Sequence, residues 1–301
     1  MVNVSDTGYQ DVQFIFAEPN SNIRFGLIGM LRQQGFRKLR PVSKIGDLLS
    51  EIGSAPADLI AVADSLGDEV YDCIRKLRHH IIGKNPFAVV TFMVDPDNKN
   101  AIKKAIMAGA DDVMLKPVAP GKIVERARHI AYHRTPFIAT TEYIGPDRRK
   151  GGRKSAIPLI KVVNTLRDKL DGKGVEIEEL TKAVEAGFKS IRTAQLDSHG
   201  LRMGYVCNLI LEAYDQNNID QVVEKNLLML AQCLDEAAVA AMDVGELELA
   251  DICKRMCLEI EVLSDEYETP DERSLKLIRT LTKAFEMAKE RSRTARATER
   301  P

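Results

Sequence analysis

The hydrophobic rhythm of the chain changes about halfway along. Up to residue 134, short unbroken apolar runs alternate with stretches whose apolar positions recur every three to four residues. The runs cover residues 12–16, Leu59–Ala63, 86–93 and 113–115, with a weaker one at Leu39–Val42. Continuous runs this short predict strands buried on both faces. The periodic stretches between them predict helices. The first carries Ile23, Leu27, Met30 and Leu31 and is closed by Gly35; the others cover residues 45–52, Glu69–Arg78, 99–108 and 121–132. Five strand–helix steps in about 130 residues predict an α/β domain with a doubly wound five-stranded parallel sheet.

Residues 156–301 lack such runs and read as an all-α domain. Five amphipathic stripes follow a 3.6-residue period. They begin at Leu159-Val162-Val163-Leu166-Leu170 and Ile177-Leu180-Val184-Phe188-Ile191. Three more run from Val223 to Ala241, Leu249 to Leu263 and Leu275 to Ala288. Turn signals at Gly172-Lys173-Gly174, Asn217-Asn218, Gly245 and Pro270 separate them, so antiparallel neighbours in a bundle are expected. Residues 135–155, punctuated by Thr135-Pro136, Gly145-Pro146 and Gly151-Gly152, read as a basic linker.

Composition narrows the picture. A net charge of −1 hides an asymmetry: residues 1–155 carry 23 basic against 17 acidic side chains, residues 156–301 carry 20 against 27. An acidic second half argues against nucleic acid as its partner. Between residues 243 and 272, 11 acids face only Lys254 and Arg255, which favours a protein partner with basic features. No apolar run is long enough to span a bilayer and no signal-peptide core is visible near Met1, so a cytoplasmic chain without membrane partner is expected. The five cysteines form no CxxC pair and read as reduced thiols.

Residues 108–118 read Ala-Gly-Ala-Asp-Asp-Val-Met-Leu-Lys-Pro-Val: a helix end, a glycine turn, a buried strand and a terminal Lys-Pro. This resembles the last step of a response-regulator receiver domain, and the resemblance extends over about residues 11–134. It implies the flavodoxin-like strand order. It also places Glu18 at the first position of the family's acidic pair, Asp64 at the phosphoacceptor, Thr91 at the switch hydroxyl and Lys116-Pro117 at the lysine and its cis-proline. By that resemblance Asp64 takes a phosphoryl group as an acyl phosphate, Lys116 pairs with it, and Glu18 and Asp64 hold Mg²⁺. The domain would be no enzyme beyond adding and removing its own phosphate. Its partners would be a sensor histidine kinase or phosphotransfer protein and an unidentified downstream protein; a homodimer is left open.

The chain departs from the family at several places. Pro19 fills the second acidic position, Asp64 follows an apolar run one residue longer than usual, and Val113 stands where many members have a switch aromatic. A pseudoreceiver that signals by binding alone is therefore the alternative. Two other features bear on function. Arg148, Arg149, Lys150, Arg153 and Lys154 form a basic knot whose Arg149-x-x-x-Arg153 spacing suits an anion, although a solvated linker docked on acidic helices is the simpler reading. Ser198-His199-Gly200-Leu201-Arg202 resembles the phospho-histidine box of sensor kinases, with glycine in place of the acid, which makes His199 an alternative phosphotransfer site. A packed helix histidine is the default there.

Overall fold

The computed structural model describes residues 8–149, 157–174 and 176–298. Lys150, Arg153 and Lys154 lie outside the described residues.

Strands and helices alternate from the start: β1 (Phe14–Ala17), α1 (Ser21–Gln33), β2 (Leu39–Val42), α2 (Ile45–Ser54), β3 (Leu59–Ala63), α3 (Glu69–Arg78), β4 (Val89–Val94), α4 (Lys99–Met107), β5 (Asp112–Leu115) and α5 (Pro120–His133). All strands are parallel, in the order β2-β1-β3-β4-β5. This is the expected doubly wound, flavodoxin-like sheet. The apolar runs are unbroken because both faces are covered. One face packs Ile15, Ile60, Val62 and Phe92 against α2, α3 and α4. The other packs Phe14, Phe16, Ala61 and Met93 against α1 and α5. Asn20 and Asn98 cap α1 and α4, their side chains accepting the Ile23 and Ala101 amides.

Residues 135–149 are more ordered than a linker. They carry β6 (Phe137–Ala139) and β7 (Ile144–Pro146), which pair with each other. Phe137, Ile138 and Ile144 are buried. Beneath them Arg78 donates to the carbonyls of Gly109 (2.9 Å), Pro86 (2.6 Å) and Ala88 (2.8 Å) and to Asp111 (2.8 Å). Arg134 donates to the other Asp111 oxygen at 2.8 Å, and both guanidinium carbons lie within 5.2 Å of the Phe137 ring centre. Burial pulls the Arg78 pKa down to about 10. Burial would raise that of Asp111, but Arg134 and Arg78 together hold it below the ordinary value. Gly109, at φ 88°, lies so close to the hairpin that a Cβ would strike the Ile144 carbonyl.

The first of the five predicted helical stripes is corrected. Only α6 (Thr165–Leu170) is helical there; Ile160 instead pairs antiparallel with Phe137. Pro158 and the β-branched residues Ile160, Val162 and Val163 disfavour a helix, which starts only where the Asn164 side chain accepts the Arg167 amide. Leu166 is fully buried in the core shared by α1 and α5.

The remaining stripes lie on α7 (Ile177–Asp215), α8 (Gln221–Val244), α9 (Leu247–Asp265) and α10 (Glu272–Thr298). The chain divides into two units inside α7: residues up to 188 apart from 139–141 form one, and 139–141 with the rest form the other. The second unit has its own core, including Leu227, Leu234, Ile260 and Phe285. Gly245, in the left-handed conformation, ends α8 and turns the chain into α9. Among the described residues no helix is long and apolar enough to cross a membrane.

Candidate functional site

The carboxyl ends of β1, β3 and β5 deliver three side chains to one rim of the sheet, where open α/β folds bind ligands. Asp64 follows β3 and opens a short 3-10 turn. Lys116 follows β5, and its peptide bond to Pro117 is cis. The Lys116 ammonium donates to Asp64 Oδ1 at 3.0 Å and to Ser65 Oγ at 3.0 Å. Glu18 follows β1, with its Oε2 3.8 Å from the same ammonium. Its other oxygen accepts the Asn20 amide at 2.9 Å, and Arg24 holds the loop by donating to the Glu18 and Pro19 carbonyls. The Glu18 and Asp64 side chains are 2% and 4% exposed, that of Lys116 21%. The far oxygen of Asp64 accepts the Asp95 amide at 3.1 Å, with the Asn98 side-chain nitrogen at 3.5 Å.

Thr91 is not part of this cluster. It lies inside β4, opposite Ala61 and Asp112, and is buried. Val94, three residues further, pairs with Leu115, the neighbour of Lys116. At about 3.3 Å per residue this leaves Thr91 some 10 Å below the rim. The strand passes through Thr91 because a β-branched hydroxyl residue is at home in a sheet and the apolar run resumes with Phe92-Met93-Val94. Val94 and Asp95 occupy the rim instead. The first true breaker after the run, Asp95-Pro96, was the available sequence signal. Beside the rim, a cavity of about 570 Å³ is lined by Ile23, Leu27, Met30 and Val118, with Glu18 and Lys116 among its polar groups.

The sequence matches no family model and no curated protein. A receiver-like fold followed by a helical region thus rests on the sheet order and helices themselves.

The donors a metal ion would use are two carboxylates, Glu18 and Asp64, converging on Lys116. Pro19 adds none, and among the described residues no three acids, histidines or cysteines are gathered as a metal cluster. Two carboxylates completed by water fit Mg²⁺, which keeps much of its hydration shell.

The two other features singled out in the sequence are engaged elsewhere. His199 is 3% exposed, with Nδ1 3.5 Å from Cys233 Sγ and 3.9 Å from Glu236. Burial lowers its pKa. A phosphotransfer histidine must offer a ring nitrogen to its partner, and this one is packed inside the helical unit. A Cβ at Gly200 would press on Phe285 and Lys289, so glycine there answers to close helix packing. Arg148 donates to the Ala110 and Asp111 carbonyls and Arg149 to Asp147, so both described members of the basic knot already serve internal contacts.

Proposed function

We propose that this chain is a signalling protein of the response-regulator kind. Asp64 accepts a phosphoryl group, and the helical region passes the altered state on through protein contacts. The observation that carries the reading is the Lys116 ammonium 3.0 Å from Asp64 at the carboxyl rim of the sheet, with Glu18 beside it.

In this reading a free oxygen lone pair of Asp64 attacks phosphorus. The donor, a phosphohistidine of a sensor kinase or phosphotransfer protein or a small acyl phosphate, leaves with the electron pair of its broken bond to phosphorus. The product is an acyl phosphate. Glu18 and Asp64 would hold Mg²⁺, which when bound neutralises charge on the phosphoryl oxygens. Lys116, already aimed at Asp64, exchanges a carboxylate oxygen for a phosphoryl oxygen at little reorganisation cost. Ser65 Oγ and the Asp95 amide keep the ammonium and carboxylate in place beforehand.

A second reading, signalling by binding without phosphorylation, is favoured by two particular residues. Pro19 offers no carboxylate beside Glu18, and Val94 offers no hydroxyl at the end of β4. Intact-mass measurement after incubation with acetyl phosphate and Mg²⁺ separates the readings. One phosphoryl group is expected on the wild type and none on Asp64→Ala. Equal incorporation in both would remove Asp64 as the acceptor, and none in either would leave the binding-only reading.

A further inference from the structure

His129 and His133 stand one helical turn apart near the end of α5, and both are exposed. Four residues of helix rise about 6 Å, so the two side chains share one face. Their rings lie against each other, with centres 5.1 Å apart and planes 36° from parallel. Among the described residues neither ring has a hydrogen-bond partner. The polar neighbours are engaged elsewhere. Glu125 accepts from Lys122 at 3.1 Å, Arg126 pairs with Asp112, Arg134 pairs with Asp111, and the Tyr132 hydroxyl donates to Asp171 at 3.0 Å.

A neutral imidazole offers one ring nitrogen as a lone-pair donor. Two such donors one turn apart on a helix chelate a single metal ion, the spacing that zinc-binding helices use. A zinc ion about 2.0–2.1 Å from one nitrogen of each ring, with a tetrahedral angle between them, puts the ring centres about 5 Å apart. That is the separation these rings already have. α5 ends at His133, so the carbonyls of its last turn and the negative end of the helix dipole lie beside the pair and favour a cation. We propose that His129 and His133 form a two-ligand site for Zn²⁺ on the exposed face of α5. Imidazole suits zinc, whereas the carboxylates of the rim suit Mg²⁺. Glu125 is more than two turns from His133, too far along the helix to serve as a third ligand. The remaining tetrahedral positions are left to water or to donors of a molecule that docks there. The site is distinct from the rim. α5 starts beside the rim at Pro120, and His129 and His133 lie about 14 and 20 Å further along its axis. The inference therefore does not rest on the phosphoacceptor reading of Asp64.

The test adds Zn²⁺ to the full chain in excess Mg²⁺ and follows the histidine ring nitrogens by NMR, with the heat of binding measured alongside. One equivalent of zinc is expected, the ring signals of His129 and His133 moving together while that of the buried His199 stays still. Mg²⁺ alone should move none of them. His129→Gln and His133→Gln are each expected to weaken binding at least about tenfold, since even an outer-shell partner of a metal site is worth that much. Both positions are exposed, so the melting temperature without metal should stay that of the wild type. Equal zinc affinity in the wild type and the double variant overturns the proposal by placing the ion elsewhere. Movement of one ring alone, or of neither up to millimolar zinc, overturns it as well.

Discussion

His199 meets the Cys233 thiol and the Glu236 carboxylate inside the helical unit, and burial lowers its pKa while Glu236 opposes and Arg202 and Arg192 assist. A histidine held neutral in the fold titrates earlier in the unfolded chain, at about 6.5. As pH falls below that value, unfolded chains take a proton that the fold refuses. Stability is then lost at up to about 1.4 kcal/mol per pH unit until the folded pKa is reached. His199→Gln should flatten the fall in melting temperature of the helical unit between roughly pH 7.5 and roughly pH 5.5. Equal slopes in the two proteins would mean that His199 accepts its proton in place. Thr91 makes the complementary point at the sheet. Its hydroxyl is buried inside β4, so Thr91→Val should leave the affinity for beryllofluoride, a mimic of the acyl phosphate, unchanged, and a large loss would bring Thr91 back to the rim. At Thr91 residue type alone was misleading, whereas His199 is the packed helix histidine expected by default. The three residues correctly gathered at the rim each follow directly on an apolar run, whereas Thr91 interrupts one and His199 sits midway along a helix.

The β6–β7 hairpin is held by residues far away in sequence. Asp111 bridges two buried guanidiniums, Arg78 and Arg134, and the Phe137 ring lies against both. Asp111→Asn leaves two buried cations without their anion and should cost about 3–5 kcal/mol, read as a fall in denaturant midpoint. Phe137→Ala should cost a similar 3–5 kcal/mol by emptying a packed site. A fragment ending at residue 134 lacks Phe137 and Leu166 and should therefore melt well below one that continues through α6. Equal melting would show that the hairpin merely rests on the sheet. Local pattern could not reveal this element. Thr135-Pro136 and Gly145-Pro146 are real turn signals, but the apolar Phe137-Ile138 and Ile144 between them are too few to register as strands. Their stability comes from Arg78 and Asp111, more than twenty residues upstream. Four strands of the main sheet needed no such help, because each apolar run is its own signal; β2, Leu-Arg-Pro-Val at the sheet edge, gave a weaker one.

At the scale of the whole molecule, the two units have separate hydrophobic cores. The sheet is covered on both faces by its own helices and by α6, whereas α8, α9 and α10 close around Leu227, Leu234, Ile260 and Phe285. Among the described residues no buried side chain belongs to both sets, although α7 contributes residues to each unit. Separate cores predict separable stability, since local opening follows the contacts that a region itself makes. Leu227 is fully buried, and Leu227→Ala should cost the helical unit about 2–5 kcal/mol through lost burial and the cavity left behind. Hydrogen exchange would then quicken for the slowest amides of α8 and α9, while those of β1, β3 and β4 keep their protection. If the sheet amides quicken by the same factor, the chain unfolds as one cooperative body. A change at Asp64 would then reach the helices through shared stability. If they do not, each unit holds its own stability, and the sheet keeps its protection while the helical core loosens.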